Sequence, residues 1–315
     1  MALLIIGSQR TKEFADAILA ESPGLDLRMW PDAGRIEDIR YALAWGPPPG
    51  ALKTIPNLQL IVSVGAGVDH LLKDPELPAV PVVRYVDPDL TARMIDYVAL
   101  QVLYHQRRTS EFLEQQRARV WKYQPEPAAG EVRVGLMGLG VMGAACVPAL
   151  HALGFSLCGW SQSRKQIDGV TTFAGAAELD AFLAETDILA CTLPLTPDTR
   201  GILDRALIRK LSRQGRPQRL PGPVLINAGR GPLQVETDIL TALDAGELYA
   251  ASLDVFEKEP LPDTSPLWDH PRVVITPHNA AESTSEAIAA YLLRQMRAHQ
   301  HGEPLRHVVD PKRGY

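Results

Sequence analysis

Three residues with complementary chemistry, Arg230, Glu259 and His278, each follow a short apolar run in the second half of the chain. A guanidinium grips a carboxylate and a keto oxygen through its planar fork, and an imidazolium donates a proton to that oxygen. A carboxylate bonded to the other ring nitrogen orients the imidazole and favours its charged form near neutral pH. Arg230, Glu259 and His278 are therefore the predicted catalytic residues for reduction of a 2-keto acid, with His278 as the proton donor.

Such a reduction needs a hydride donor, and a glycine-rich turn earlier in the chain predicts one. The segment Gly138-Leu139-Gly140-Val141-Met142-Gly143 follows an apolar run and opens a helical pattern, the context that a dinucleotide-binding fingerprint requires. Gly138 permits a tight turn, Gly140 lets the backbone approach a pyrophosphate, and Gly143 lets helix and strand pack closely. The N–H groups at the helix start attract the phosphates. We expect Gly138, Gly140, Val141, Met142 and Gly143 to contact a nicotinamide dinucleotide.

The residues after the next apolar run indicate which dinucleotide is bound. An NAD site would place Asp or Glu about 20 residues after the glycines, to hold the ribose 2′-hydroxyl. The chain instead has Ser161, Ser163, Arg164 and Lys165 there, without a nearby carboxylate. Hydroxyls and two cations suit the 2′-phosphate of NADP. These residues predict a preference for NADPH; use of NAD, or an ordinary solvated basic loop, is the alternative.

These loops need a scaffold that brings them together, and the apolar runs predict a parallel sheet. Helical patterns separate most of the runs, which is the rhythm of a doubly wound sheet with its loops converging at the strand carboxyl ends. Pro148 predicts a bend in the fingerprint helix, and segment 212–223 predicts a loop without a catalytic role. The six predicted strands are 132–137, 156–160, 188–193, 224–227, 250–254 and 273–276.

The N-terminal part of the chain shows a second, shorter series of the same kind. Strands separated by helical lengths imply parallel βαβ units there as well. A long helical pattern over 91–121 turns polar in its second half, which predicts a bridge or an arm. The predicted strands are 2–6, 25–30, 42–45 and 60–64, and the predicted helices are 14–20 and, near the C-terminus, 282–300.

Composition excludes several classes of protein. A chain of 315 residues is long enough for two domains. Its formal charge of −5 argues against a nucleic-acid binder. Cys146, Cys158 and Cys191 fit neither a disulfide framework nor a metal site, so they predict buried thiols in the reducing cytoplasm. The apolar run 2–6 is too short for a secretory signal, and no run approaches a membrane span, so a membrane partner is not expected.

Several motifs together resemble those of the D-isomer-specific 2-hydroxyacid dehydrogenases, over nearly the whole chain. They are Gly65-Ala66-Gly67-Val68-Asp69, the glycine fingerprint, Leu193-Pro194-Leu195-Thr196-Pro197-Asp198-Thr199-Arg200-Gly201, and the loops containing the three catalytic candidates. The resemblance implies that N–H groups at Val64, Gly65 and Ala66 hold the substrate carboxylate, in line with the tendency of Gly-rich turns to bind anions. It also implies a contact of Asp254 on the nicotinamide side of the cofactor. Further implied cofactor contacts are Leu193, Pro194, Thr199 and Ala228.

Within the family, the chain is similar to the bacterial glyoxylate/hydroxypyruvate reductase A subgroup. The residues that carry this similarity are Trp45-Gly46-Pro47-Pro48, Val83-Arg84, Tyr97, Trp121-Lys122, 161–165 and Ser265-Pro266-Leu267-Trp268. Related reductases place a tryptophan of the neighbouring subunit over the substrate pocket. The similarity thus implies a homodimer in which Trp121 has that position, with Trp45 lining the pocket; packing in a core or an interface is the alternative for both.

The resemblance also implies a fold and a function. A smaller, flavodoxin-like α/β substrate domain, 1–95 and 285–315, is interrupted by a Rossmann doubly wound cofactor domain, 96–284, which includes a dimerisation arm at about 100–128. The implied reaction is NADPH-dependent reduction of glyoxylate to glycolate and of hydroxypyruvate to D-glycerate.

Three alternatives stay open at this point. The same chemistry could act on another 2-keto acid, such as 3-phosphohydroxypyruvate, although the chain has no regulatory extension. Formate oxidation is a weaker alternative, because formate dehydrogenases of this family have Gln where Glu259 stands. A dinucleotide-gated scaffold resembling the family's co-repressors is the third, although the long interaction tails expected of a scaffold are absent.

Overall fold

The computed structural model describes residues 1–8, 10–212, 217–218 and 220–314. The chain divides into two units: the first is Met1–Leu90 with Glu282–Tyr315, and the second is Thr91–Ala281. The first unit is thus built from both ends of the chain, and the second is one continuous segment. The domain borders proposed from the sequence lie a few residues further along, at 95 and 285.

The first unit contains a five-stranded parallel sheet in the order β2-β1-β3-β4-β5. This is the strand order of flavodoxin-like folds. All five residues of β1 are buried, as expected for a parallel sheet covered on both faces. The strands are β1 (Ala2–Ile6), β2 (Asp26–Met29), β3 (Ile39–Ala44), β4 (Leu60–Ser63) and β5 (Val82–Val83), and the first helices are α1 (Thr11–Glu21) and α2 (Asp69–Leu72).

The helical pattern predicted over 91–121 is two helices rather than one. Helix α3 (Pro88–Gln106) ends before a break, and α4 (Thr109–Ala118) follows it. Arg108 lies in the break with φ of +54°, a left-handed conformation that a continuous helix does not contain. Helix α4 has no buried residue, and its exposed side chains are accessible to solvent or to another molecule.

The second unit contains a seven-stranded parallel sheet in the order β12-β11-β10-β9-β6-β7-β8. This is the doubly wound order with one additional strand. The six predicted strands correspond to six of the seven, and β8 was missed. The strands are β6 (Arg133–Met137), β7 (Ser156–Ser161), β8 (Val170–Ala174), β9 (Ile188–Cys191), β10 (Val224–Asn227), β11 (Ala250–Leu253) and β12 (Val273–Ile275). The helices are α5 (Val141–Ala152), α6 (Gly175–Ala184), α7 (Arg205–Ile208) and α8 (Glu236–Asp244), and α9 (Ser285–Gln300) completes the first unit.

The sheet of the second unit is covered on both faces by apolar side chains. In β9, Ile188 and Ala190 pack into one hydrophobic cluster, and Leu189 and Cys191 pack into the other. This alternation follows from the two-residue period of a strand. Because both faces are filled, the polar loops at the strand ends project from a rigid platform.

Two further expectations concern local features of the second unit. Pro148 lies inside α5, and the helix continues to Ala152. Within the predicted loop 212–223, positions 213–216 and 219 lie outside the described residues. In the part of the chain that the structure describes, none of the helices combines the length and the apolar character needed to cross a bilayer.

Candidate active site

The glycine turn after β6 has the geometry that a dinucleotide needs. Gly138 has φ of +113°, a conformation that side chains disfavour. A Cβ atom at Gly143 would lie 1.9 Å from the carbonyl oxygen of Gly138, so α5 packs against the turn only because this residue is glycine. A Cβ atom at Gly140 would meet no described atom within 4 Å. The space beside Gly140 is therefore open, as the approach of a pyrophosphate requires, and the adjacent Val141 is exposed.

The basic loop after β7 is tied to β8 and α6. Arg164 donates from Nη1 to the carbonyl oxygen of Thr172 at 2.8 Å and forms an ion pair with Glu178. The hydroxyl of Thr172 donates to the carbonyl oxygen of Lys165 at 2.7 Å. The N–H of Ala174 and the guanidinium of Arg164 hold the pKa of Glu178 below its ordinary value. The two elements that follow the loop in the chain thus fix the guanidinium of Arg164 and the backbone of Lys165.

The two serines of this loop differ in exposure. The Ser161 hydroxyl is buried and donates to the carbonyl oxygen of Ser163 at 2.7 Å. Ser163, Arg164 and Lys165 are exposed. The three exposed residues present a hydroxyl and two cations, the combination suited to a phosphate.

Four of the other predicted cofactor residues follow β9 and β10. Thr199 donates its hydroxyl to the carbonyl oxygen of Pro194 at 2.7 Å, which closes the loop that begins at the buried Leu193. Ala228 donates its N–H to the carbonyl oxygen of Cys191 at 3.0 Å. Both loops therefore leave neighbouring strands at the same edge of the sheet as the glycine turn.

His278 and Glu259 are in direct contact. His278 Nδ1 lies 2.7 Å from Glu259 Oε2, and the N–H of Phe256 donates to Glu259 Oε1 at 3.0 Å. Partial burial alone would raise the pKa of Glu259. The hydrogen bonds from His278 and Phe256, together with the charges of His278 and Arg230, outweigh that effect and lower it. Glu259 therefore carries a negative charge beside the imidazole at neutral pH.

The loop of Arg230 packs against the loop of Glu259. A Cβ atom at Gly231 would lie 1.7 Å from the carbonyl oxygen of Phe256, so the close approach of the two loops requires glycine there. Buried Asn227 donates to the carbonyl oxygen of Arg230 at 3.2 Å and to Gln234 Oε1 at 2.8 Å. The second unit thus brings all three predicted catalytic residues to neighbouring loops, with Arg230 close enough to influence Glu259.

Asp254 organises the loop that carries His278. Its buried carboxylate accepts hydrogen bonds from the Thr276 hydroxyl at 2.6 Å and from the N–H groups of Asn279 and Ala280, each at 3.0 Å. Its carbonyl oxygen accepts the N–H of His278 at 2.8 Å. His278 has φ of +54°, and these bonds hold it in that strained conformation. The sequence predicted only a cofactor contact for Asp254; its position at the end of an apolar run did not indicate this anchoring role.

The predicted carboxylate-binding loop lies in the first unit, beside Trp45. The Val64 N–H donates to the carbonyl oxygen of Ala44 at 3.2 Å, and the Gly65 N–H donates to Ser63 Oγ at 3.3 Å. A Cβ atom at Gly65 would lie 2.6 Å from Trp45 Cζ3, so the indole packs directly on this loop. The N–H groups of Val64 and Gly65 thus have acceptors within the protein. The N–H group of Ala66 is the third predicted donor.

Trp121 follows α4 and is fully exposed, and Tyr123 beside it is also exposed. Trp121 is therefore not packed in the core of its own unit in this structure. Its predicted contact with a second subunit stays a prediction.

Comparisons with known proteins found similar chains. Residues 99–280 match the family model described as D-isomer specific 2-hydroxyacid dehydrogenase, NAD binding domain. The chain is 36% identical over 310 residues to glyoxylate/hydroxypyruvate reductase A of Yersinia enterocolitica, covering 96% of each.

Solved structures are similar over the full chain. An NADPH-dependent glyoxylate/hydroxypyruvate reductase of Sinorhizobium meliloti, in complex with NADP and sulfate, is 44% identical with a TM-score of 0.93, covering 100% of both chains. A D-isomer specific 2-hydroxyacid dehydrogenase of Xanthobacter autotrophicus, in complex with NADPH and MES, is 39% identical with a TM-score of 0.92, covering 100% of this chain and 99% of the other. The predicted α/β fold class is confirmed.

Proposed function

The chain belongs to the D-isomer-specific 2-hydroxyacid dehydrogenase family and is an NAD(P)-dependent oxidoreductase, and we propose that it reduces glyoxylate to glycolate and hydroxypyruvate to D-glycerate with NADPH. The observation that carries this proposal is the 2.7 Å contact between His278 and Glu259 beside the loop of Arg230. The similar reductases of Yersinia enterocolitica and Sinorhizobium meliloti support the choice of substrates.

The residues of the second unit fit a bound NADP. The open space at Gly140 suits the pyrophosphate, and the exposed Ser163, Arg164 and Lys165 suit the 2′-phosphate. The chemistry supplied by bound NADPH is transfer of a hydride to the keto carbon. NAD lacks the 2′-phosphate and makes no use of these cations, so we expect it to bind more weakly.

His278 serves as the proton donor in this proposal. Its Nδ1 atom is committed to Glu259, so Nε2 is the atom that delivers a proton to the keto oxygen. The Glu259 carboxylate orients the ring and stabilises its charged form before transfer. Arg230 binds the carboxylate and the keto oxygen of the substrate, and N–H groups of the 64–66 loop bind the carboxylate.

An assay of the purified protein tests the proposal. Oxidation of NADPH is followed at 340 nm with glyoxylate, hydroxypyruvate, pyruvate and 3-phosphohydroxypyruvate, and each assay is repeated with NADH. We expect the highest kcat/KM with NADPH and glyoxylate or hydroxypyruvate. Turnover of pyruvate or 3-phosphohydroxypyruvate alone would assign a different 2-keto acid, and turnover of none would reject the proposal.

We further propose that the protein is a cytoplasmic homodimer in which Trp121 reaches the substrate pocket of the partner subunit. The exposure of Trp121 and Tyr123, and the absence of buried residues in the fully described helix α4, support a contact with another molecule. Three buried thiols suit a reducing compartment. Light scattering after size exclusion measures the mass, and Trp121→Ala should raise the KM for glyoxylate. A monomer at micromolar concentration would contradict the dimer.

A further inference from the structure

His70, in the short helix α2, connects two loops of the first unit. Its Nδ1 atom accepts the N–H of Gly46 at 3.0 Å, and its Nε2 atom lies 3.2 Å from Ser63 Oγ. Because a backbone N–H can only donate, Nδ1 must be unprotonated in this arrangement, and the neutral ring carries its hydrogen on Nε2. His70 therefore donates to Ser63 and accepts from Gly46. The tautomer follows from these two contacts.

Each contact leads, through one intermediate residue, to a residue predicted to bind substrate. Gly46 directly follows Trp45, and the rings of Trp45 and His70 pack with centroids 4.3 Å apart. Ser63 is fully buried, and its Oγ also accepts the Gly65 N–H. One imidazole thus holds the turn after β3 and the turn after β4 in a fixed relation.

The bond from Gly65 to Ser63 is one that a substrate could replace. Its length of 3.3 Å exceeds the usual distance of about 2.9–3.0 Å for an N–H to oxygen bond. A carboxylate is a charged acceptor and forms shorter, stronger bonds with N–H donors than a hydroxyl does. Ser63 therefore keeps the Gly65 N–H directed and partnered without binding it tightly.

From these contacts we propose that His70 is a positioning residue for the keto-acid carboxylate. It orients the Gly65 N–H through Ser63 and holds Trp45 through Gly46, so that less ordering is needed when the substrate binds. This role rests on the proposed function, because it requires the 64–66 loop to bind the substrate carboxylate. Preorganised donors lower the entropic cost of binding, so the effect appears in substrate affinity.

Two substitutions separate the contacts of His70. His70→Leu removes both hydrogen bonds, whereas His70→Asn places an amide oxygen near the position of Nδ1 and keeps the acceptor for Gly46. His301→Leu is the matched control, since His301 is an exposed histidine of the same unit. The probes are glyoxylate in steady-state kinetics, oxalate in calorimetry with saturating NADPH, and NADPH alone in calorimetry.

His70→Leu should raise the KM for glyoxylate and the Kd of oxalate by about 3- to 10-fold, the effect of losing one or two neutral hydrogen bonds. The kcat and the Kd of NADPH should stay within about 2-fold of the wild type, since NADPH contacts are proposed in the other unit. His70→Asn should recover part of the affinity, and His301→Leu should behave as the wild type. An unchanged oxalate Kd in His70→Leu, or an equal rise in the Kd of NADPH, would overturn the proposal.

Amide hydrogen exchange of the ligand-free protein gives a readout independent of substrate. Peptides covering 44–47 and 63–66 should exchange faster in His70→Leu than in the wild type and His301→Leu. Unchanged exchange would show that His70 does not hold these loops. If the wild type neither reduces glyoxylate nor binds oxalate, the proposed function fails and the substrate role of His70 fails with it, while the exchange rates still decide whether the two bonds hold the loops.

Discussion

His278 Nδ1 and Glu259 Oε2 lie 2.7 Å apart, and both side chains remain about one-third exposed. The second oxygen of Glu259 accepts the N–H of Phe256, so the carboxylate cannot rotate away from the imidazole without losing a backbone bond. The pair is therefore oriented before any ligand arrives, and Nε2 is the ring nitrogen that this contact leaves for proton transfer.

Glu259→Gln should shift the pH dependence of reduction. The lowered pKa of Glu259 keeps the carboxylate charged throughout the neutral range, so the wild-type pair loses this charge only as the pH falls through that lowered pKa. The amide of Gln neither carries this charge nor titrates, so kcat/KM for glyoxylate at neutral pH should fall in the variant. The acid limb that reflects protonation of Glu259 should be absent from its profile. Asp263→Asn, at an exposed acid of a nearby segment, should leave the profile unchanged; the same profile in both variants would contradict the role of Glu259.

Arg230→Ala and His278→Ala should affect different kinetic constants. Loss of the guanidinium removes contacts made both before and during hydride transfer, so Arg230→Ala should raise the KM for glyoxylate and lower kcat together. Loss of the proton donor should chiefly lower kcat, by about 10²- to 10⁴-fold. Steady-state kinetics measure both, and the Kd of NADPH tests for misfolding. Near wild-type constants in both variants would refute the assignments.

Arg164→Ala should reduce discrimination between the two dinucleotides. Loss of one charge-assisted bond to a phosphate should raise the Kd of NADPH by about 10- to 100-fold. The Kd of NADH should change little, because that molecule has no 2′-phosphate and serves as the internal control. Fluorescence titration measures both constants without turnover. A parallel rise for the two cofactors would mean that Arg164 supports the loop and does not bind the phosphate.

His105 should make the stability of the protein depend on pH. Its Nε2 lies 2.7 Å from Ser252 Oγ, whose hydroxyl donates to Gln101 Oε1, while the buried Nδ1 atom has no partner among the described residues. Burial lowers the pKa of His105 to about 3, whereas the unfolded chain titrates near 6.5. Between these values the unfolded state binds the additional proton, so the free energy of unfolding should fall as the pH drops below 6.5, by about 1 kcal/mol per pH unit.

Urea unfolding from pH 7 to pH 4 measures this slope. His105→Met removes the titrating group and should give a shallower dependence of the free energy of unfolding on pH, whereas exposed His301→Met should keep the wild-type slope. Equal slopes in all three proteins would show that His105 does not contribute.

Local patterns predicted most strands because a strand covered on both faces must be apolar throughout. The two strands that were missed give a weaker pattern: β8 is only partly buried at the sheet edge, and β5 is buried but only two residues long. The single helical pattern over 91–121 concealed a break, because Arg107 and Arg108 are good helix formers and nothing local marks the left-handed turn. Edge strands and helix breaks depend on neighbours that a sequence window does not contain.

The sequence by itself determined the chemistry and much of its local setting. The backbone turns at Gly138, the space beside Gly140 is open, and α5 packs closely at Gly143. These three requirements concern residues that are near one another in the sequence. Arg230, Glu259 and His278 could be identified because each follows an apolar run. Only the tertiary structure decided that Asp254 anchors the loop of His278 and that His70 joins the turns after β3 and β4. Such bonds join residues that are distant along the chain, so they depend on which strands become neighbours in the sheet.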